Sequence, residues 1–300
     1  MNALRHGVVI LPDQRWETAR HRWVRAEELG FDHVWTYDHL MWRWLRDDPW
    51  FSVVPTLTAA AAATDRITVG TLVASPAYRH PVPFAKEMMT LDDIAGGRLI
   101  CGVGAGAGGF DDEVLGGDPP TPAERADRFA EFVELTDQLL TKPATSYDGR
   151  HFRCRDVAMR PGCLQRPRIP LAVAATGPRG IRLAARYADI WITAGRPGWG
   201  EPLPYERALP GLAEQSAAVD AACTAVGRDP ASLRRMVVTG AMIEGVIASA
   251  ESYADACGRF GGLGFTDVVS HWPRTGFPYQ GRPEVLDEIS AAVLRPGGRG

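Results

Sequence analysis

Lysine is scarce in this sequence, whose 300 residues include only two lysines, Lys86 and Lys142. Neither lies where a strand is predicted to end, so a mechanism that forms a Schiff base on a lysine has no good candidate. The five cysteines are scattered and form no Cys-x-x-Cys pair. This pattern favours free thiols over a disulfide framework or a cysteine metal site.

Histidine pairs with the spacing of metal ligands are also missing, since no His-x-His and no His-x-x-x-His occurs. A metal hydrolase built on a barrel would need such a pair and a supporting carboxylate. His39, His80 and His271 are the histidines that could still converge, which keeps a metal hydrolase as a remote alternative, but we predict no metal. No Gly-x-Ser-x-Gly occurs either, so Ser75 is not a predicted nucleophile.

Long apolar runs and a strong charge of either sign are absent as well. No run reaches the length needed to span a membrane, and the first residues, MNALRHGVVILP, lack the features of a signal peptide. The formal net charge of −3 gives no reason to expect a nucleic acid or an anionic membrane as a partner. We therefore expect a cytoplasmic protein that binds neither.

The sequence does contain a regular alternation of short apolar runs and helical segments. Eight strands are predicted, at residues 6–11, 33–37, 67–73, from 98 to a glycine-rich turn, 170–175, 189–194, 234–239 and 265–270. About eight helices follow them, which at this length predicts an α/β fold of the (β/α)8 TIM-barrel type. We expect one domain over residues 1–300, insertion loops after strands 2, 4 and 6, and a loose tail at about 295–300.

Polar residues follow the second predicted strand, at the edge where parallel α/β folds bind their ligands. Asp38 and His39 lie at this position, and we predict that they act as a proton shuttle or contact a cofactor. The alternative is a polar pair that only caps the strand. In the eighth strand the corresponding residue is His271, which we assign to the substrate pocket.

Three tryptophans, Trp42, Trp44 and Trp50, occupy the single loop that follows Asp38 and His39. Such residues often belong to the hydrophobic core. Their concentration in one loop with polar flanks instead favours the apolar wall of a substrate pocket.

A glycine-rich stretch beginning at Gly104 matches the bare G-x-G-x-x-G pattern of dinucleotide sites. That fingerprint should open directly into a helix, whereas no helix is predicted before Thr121, where Glu124 completes a capping box. Two alternatives remain. The turn needs only the conformational freedom of glycine, or the amides of Gly104, Ala105 and Gly106 approach a phosphate.

The turn after the fifth predicted strand fits phosphate binding better. Ala175, Thr176, Gly177 and Pro178 provide a hydroxyl, bare amides and a proline at the start of a helix. The amino terminus of such a helix favours an anion. Many α/β proteins use similar turns without a ligand, so this motif alone leaves both readings open.

A series of short segments covers most of the chain: GFDHVW from Gly30 leading to Asp38-His39, AATDRI from Ala62, Arg79-His80-Pro81, Thr90-Leu91-Asp92, GGRL from Gly96, GVGAG from Gly102, Gln165-Arg166-Pro167, Thr176-Gly177-Pro178 and the segment 184–189. In their order and spacing, these segments resemble the bacterial luciferase-like superfamily of flavin- and deazaflavin-dependent oxidoreductases.

The resemblance implies a barrel that binds FMN or coenzyme F420, a 5-deazaflavin, at its carboxyl face. In that family a non-proline cis peptide bond at the end of the third strand supports the ring, and here it would join Leu72 and Val73, with Ala74 beside them. Asp38 and His39 would approach the ring. The cofactor's phosphate would lie between the turn at 104–106 and the turn at 175–178.

Within that family the Asp-His pair and the tryptophan loop look most like the F420-dependent branch. Some members of that branch carry a glutamate that acts as a general acid where this chain has Ala107, so proton delivery would fall to His39 or to the substrate. Arg179 and Arg182 are candidates for binding the polyglutamate tail of F420.

We therefore expect an F420-dependent oxidoreductase that transfers a hydride to or from a small organic substrate at the carboxyl face of the barrel. The alternatives are a monooxygenase that uses reduced FMN and a barrel that binds flavin without catalysis. We expect a homodimer.

Overall fold

Eight parallel strands close into a barrel in the computed structural model, which describes residues 4–106, 110–195 and 201–295. Going round the barrel, these strands are β1 (Arg5–Val9), β2 (His33–Thr36), β3 (Thr68–Thr71), β4 (Leu99–Gly104), β7 (Leu171–Ala174), β8 (Ile190–Thr193), β10 (Arg234–Val238) and β12 (Asp267–His271). β12 pairs with β1 and closes the ring. The predicted (β/α)8 TIM barrel is confirmed.

Helices follow the barrel strands in the described part of the chain. They are α1 (Trp16–Leu29), α2 (Val53–Ala62), α3 (Pro81–Ile94), α4 (Phe110–Val114), α5 (Pro122–Thr141), α6 (Pro178–Tyr187), α7 (Tyr205–Ala225), α8 (Ala250–Gly262) and α9 (Val285–Ile289). α9 continues into a π-helical turn over Ser290–Leu294. None of the described helices is long and apolar enough to cross a membrane.

The sequence predicted no helix between β4 and Thr121, and this prediction is wrong. Helix α4 lies in this segment, and its five residues are too few to show a helical period in the sequence. The predicted capping box is confirmed, because the Thr121 hydroxyl accepts a bond from the Glu124 N–H and the Glu124 carboxylate accepts one from the Thr121 N–H.

Short elements extend from the barrel between the main strands. β5 (Thr145–Asp148) and β6 (Arg153–Val157) form a hairpin between α5 and β7, and β9 (Leu203–Pro204) pairs with β11 (Ile243–Glu244). The predicted loops after the second and fourth strands are residues 37–52 and 105–121, although 107–109 lie outside the described residues. Residues 196–200 of the loop after the sixth strand, and 296–300 of the predicted tail, lie outside them as well. A single domain over the whole chain stays a prediction.

Large apolar side chains fill the inside of the barrel. Val9, Trp35, Ile100, Ile190 and Met236 belong to this inner cluster, while a larger cluster packs the outer faces of the strands against the helices. Because the interior is filled, a ligand can enter only at the rim where the strands end. The cysteines are free thiols, as predicted.

Side chains hold the opposite, amino-terminal ends of the strands. The Glu27 carboxylate accepts bonds from the N–H groups of Asp65, Arg66 and Ile67 at 2.6–3.3 Å, and Arg98 donates to the carbonyl of Ile67 at 2.9 Å. Burial opposes ionisation of Glu27, but these N–H groups outweigh it and lower its pKa. This face of the barrel therefore contributes stability.

Replacing Glu27 by glutamine is expected to lower the free energy of unfolding by about 1–2 kcal/mol at pH 7. The folded-state pKa of Glu27 lies below its unfolded value, so its contribution is present above about pH 4.3 and is lost as the pH falls further. Urea unfolding from pH 7 to pH 3 should show the difference from wild type shrinking with acidification. Glu28→Gln, an exposed neighbour in α1, is the matched control and should change stability by less than about 0.5 kcal/mol.

Candidate active site

A cavity of about 1030 Å³ opens at the carboxyl ends of the barrel strands. Its lining combines three parts, which are an apolar floor at the ends of β3 and β4, a turn at the amino terminus of α6, and a group of aromatic rings. The predicted site residues that line it are Leu72, Val73, Gly104, Ala105, Gly106, Ala175, Thr176, Gly177, Pro178, His39, Trp42 and Trp44. These twelve predicted residues therefore line one cavity, and their roles in binding stay predictions.

The floor of the cavity contains the Leu72–Val73 peptide bond, which is cis as predicted. β4 runs close beneath it, since a Cβ on Gly102 would lie 1.9 Å from the Thr71 carbonyl oxygen and one on Gly104 would lie 2.4 Å from Val73. Only glycine permits this approach. Ala74 is buried behind the floor, where its carbonyl accepts a bond from the Gly104 N–H.

The amino terminus of α6 forms the second part of the cavity. Gly177 is the residue that precedes the helix and carries no side chain to cap it. In the described part of the chain, the N–H groups of Arg179 and Gly180 have no hydrogen-bond acceptor. Unsatisfied amides and the helix dipole together favour an anion at this position.

Four arginines extend the positive charge beyond this turn. Arg125 of α5 and Arg179, Arg182 and Arg186 of α6 all line the cavity. Arg179 forms an ion pair with Asp127, whereas among the described residues Arg125 and Arg182 have no carboxylate within ion-pair distance. This end of the cavity is therefore suited to a ligand that carries several negative charges.

His39 lies at the other end and is held by Asp111, which the sequence analysis missed because α4 was not predicted. The His39 Nδ1 atom is 2.9 Å from the Asp111 carboxylate, and Asp111 also accepts a bond from the Leu40 N–H. A carboxylate can only accept here, so Nδ1 carries the proton and Nε2 is the nitrogen left for a ligand. The His39 side chain is 18% exposed and Asp111 only 2%.

Asp38 does not line the cavity, in contrast to its predicted contact with the cofactor ring. Both of its oxygens are taken by the Arg79 guanidinium, at 2.5 and 2.8 Å, and the Tyr78 hydroxyl donates to it as well. Burial and the neighbouring Asp38 charge raise the pKa of Tyr78 well above its ordinary value. For Asp38, these bonds fit the alternative given above, in which a polar residue only caps the second strand. A catalytic role for Asp38 stays a prediction.

Aromatic rings form the third part of the cavity. Trp42 contacts Trp44, Trp50 and the ring of Tyr279, with centroids 5.0–6.0 Å apart. Trp50 lies behind this wall, where its Nε1–H donates to the His39 carbonyl at 3.0 Å. Trp42 and Trp44 are thus lining residues as predicted, and Trp50 supports them.

Two tyrosines of this wall were missed by the sequence analysis. Tyr37 lies directly before Asp38, and Tyr279 belongs to the insert at 272–284 that follows β12. His271, predicted to line the substrate pocket, is instead buried behind both of them. Its Nε2 atom lies 2.7 Å from the Tyr37 hydroxyl.

Histidine, cysteine and carboxylate side chains form no group that could hold a metal ion in the described part of the chain. His80 accepts a bond from the Val82 N–H at the start of α3, and its ring contacts Phe152. It therefore does not join His39 and His271, and the convergence considered for a metal hydrolase is not formed.

Comparison with known proteins extends these observations. A family model described as luciferase-like monooxygenase matches residues 3–278. F420-dependent glucose-6-phosphate dehydrogenase from Beutenbergia cavernae is 38% identical over 207 residues, which cover 66% of this chain and 57% of that protein. The match thus spans little more than half the length of this relative.

Two solved structures share the fold at lower identity. An F420-dependent secondary alcohol dehydrogenase in complex with an F420-acetone adduct has a TM-score of 0.77 at 18% identity, covering 96% of this chain and 99% of its own. A monooxygenase from Streptomyces bottropensis has a TM-score of 0.77 at 20% identity, covering 97% and 99%. Because the family model matches residues 3–278, nearly the whole sequence, this chain belongs to the luciferase-like monooxygenase family.

Proposed function

We propose that this chain is an oxidoreductase that uses coenzyme F420 and transfers a hydride to or from a small organic substrate at the carboxyl face of its barrel. The observation that carries the proposal is one continuous cavity, which runs from the floor at Leu72 and Val73 to the arginines of α6. The relative from Beutenbergia cavernae and the alcohol dehydrogenase of the same fold are both named F420-dependent, which supports this choice.

The lining residues fit a flat ring that carries an anionic chain. Leu72, Val73 and Gly104 would hold the ring, and the amides at the start of α6, with Thr176, would hold a phosphate. When bound, the cofactor supplies the hydride chemistry. The protein supplies the orientation and a wall of aromatic rings that excludes water.

The arginines favour F420 over FMN. FMN has a single phosphate, for which the amino terminus of α6 is sufficient. Arg125, Arg182 and Arg186 lie further along the same cavity and suit the longer polyglutamate tail of F420, because each guanidinium can pair with a carboxylate.

His39 is the residue we assign to proton transfer. Its Nε2 atom is the free nitrogen of a ring whose Nδ1–H is fixed on Asp111, so it can take a proton from a substrate hydroxyl or return one. Ala107, which replaces the glutamate of some relatives in the F420-dependent branch, lies outside the described residues and has no proton to exchange.

A monooxygenase that uses reduced FMN is the second candidate. The monooxygenase from Streptomyces bottropensis matches the barrel as well as the F420-dependent dehydrogenase does, so the fold does not separate the two chemistries. A barrel that binds flavin without catalysis is the third candidate. It would leave the His39 imidazole, which Asp111 orients beside the cavity, without a role.

Titration of the purified protein with F420, FMN and zinc tests the proposal, with visible absorbance and fluorescence as the readouts. We expect saturable binding of F420, weaker binding of FMN and no binding of zinc. Binding of neither flavin type would contradict the proposal. Tighter binding of FMN than of F420 would favour the monooxygenase.

The expected homodimer, the cytoplasmic location and the absence of nucleic-acid and membrane partners remain predictions. The mass of the protein in solution, measured by light scattering during gel filtration, tests the first of them. A monomer at micromolar concentration would contradict it.

A further inference from the structure

A chain of hydrogen bonds runs behind the aromatic end of the cavity and ends in the two tyrosines that line it. The His271 Nδ1 atom lies 2.6 Å from the Thr239 carbonyl oxygen, and its Nε2 atom lies 2.7 Å from the Tyr37 hydroxyl. The Tyr37 hydroxyl is also 2.7 Å from that of Tyr279. The proposed function uses the rings of the two tyrosines but gives their hydroxyl groups no role.

The direction of every hydrogen bond in this series follows from the bond to the Thr239 carbonyl. A carbonyl only accepts, so Nδ1 of His271 carries the proton. Burial lowers the pKa of His271 to about 3, so the ring is neutral near pH 7 and its Nε2 atom can only accept. Tyr37 must then donate to His271, and Tyr279 must donate to Tyr37.

Packing holds the two tyrosines in this arrangement. The rings of His271 and Tyr279 are stacked with their centroids 3.5 Å apart. Gly240 makes room for them, because a Cβ at this position would lie 2.7 Å from the His271 Nδ1 atom, and its φ of +103° disfavours other residues. Neither hydroxyl can rotate its proton toward the cavity without breaking a bond of the chain.

We propose that Tyr37 and Tyr279 form an acceptor-only site that selects a substrate bearing a free hydroxyl group over the corresponding carbonyl compound. Both tyrosine protons are used within the chain, so only oxygen lone pairs remain for a ligand. A hydroxyl can donate to them when the substrate binds, before its proton passes to His39, and a ketone cannot. The inference rests on the proposed function for the identity of the cofactor and concerns the substrate end of the same cavity.

Binding of a matched pair of ligands to the full chain tests the site without turnover. Cyclohexanol and cyclohexanone share one ring skeleton, and calorimetric titration gives a dissociation constant for each. One hydrogen bond predicts that wild type binds the alcohol about fivefold to tenfold more tightly. Equal or tighter binding of the ketone, or no saturable binding of the alcohol, would overturn the proposal.

Two tyrosine variants test which hydroxyl donates each hydrogen bond. Tyr37→Phe releases the Tyr279 proton, so the preference for the alcohol should fall below about twofold. Tyr279→Phe leaves Tyr37 donating to His271 and accepting from the ligand, so the preference should be kept. Tyr205→Phe, whose hydroxyl contacts Asp255 on α8, is the control. A preference that survives Tyr37→Phe would contradict the proposed direction.

The same protein samples distinguish this inference from the proposed function. F420 binding without a preference for the alcohol would reject the acceptor site alone. A preference for the alcohol in a protein that binds neither F420 nor FMN would reject the proposed function and leave the acceptor site standing.

Discussion

Replacing His39 by alanine is expected to lower kcat by about 10²- to 10⁴-fold, the range typical of a lost general acid or base. The dissociation constant of F420 should change by less than about threefold, because we propose that the α6 amides and the floor of the cavity hold the cofactor. Steady-state kinetics and fluorescence titration of the same preparation measure the two quantities.

The matched variants for this prediction are His21→Ala and Asp111→Asn. His21 is exposed on α1, so its replacement should leave kcat and F420 binding unchanged. Asp111→Asn keeps an acceptor for the His39 Nδ1–H but removes the charge, so kcat should fall less than in His39→Ala and its dependence on pH should shift. Equal losses of turnover and affinity in His39→Ala would make His39 a binding residue only.

Replacing Gly177 by aspartate is expected to weaken F420 binding by about 10²-fold, because a carboxylate would then face the cofactor's phosphate at the start of α6. The fold should tolerate the change. A Cβ on Gly177 meets no atom within 4 Å, and its φ of −100° suits any residue. Aspartate is also a better residue than glycine before a helix, so stability should rise by a few tenths of a kcal/mol.

Gly177→Asn separates the effect of the added charge on F420 binding from the effect of the added side-chain volume. Asparagine has nearly the same size and caps a helix about as well, but it carries no charge, so its effect on F420 binding should be at least about tenfold smaller. Thermal unfolding of both variants checks that the fold is kept. Unchanged F420 affinity in Gly177→Asp would place the phosphate elsewhere in the cavity.

The barrel and the turn at the start of α6 could be predicted because local patterns determine them. Short apolar runs separated by helices specify the strands, and the turn at Gly177 and Pro178 follows directly from one of these runs. The cis bond at Leu72 was predicted only through the resemblance to a family. No local pattern in the residues around it indicates a cis bond.

The rest of the site depends on contacts between distant residues. Asp38 follows its strand as a catalytic residue would, yet Arg79, 41 positions later, takes both of its oxygens. Asp111 lies on a helix too short to be predicted. Tyr279 comes from an insert without periodicity and reaches Tyr37 across 242 positions. Such pairings are set by tertiary packing, which single-sequence patterns do not report.

Anaerobic turnover is the measurement that tests the central claim most directly. The protein is incubated without oxygen, first with oxidised F420 and a panel of hydroxyl compounds, and then with reduced F420 and the matching carbonyl compounds. We expect at least one pair to interconvert oxidised and reduced F420, seen as a change in its absorbance, with His39→Ala slowed as stated above. An unchanged F420 signal over the whole panel, together with an oxygenated substrate product when reduced FMN is supplied in air, would contradict the account.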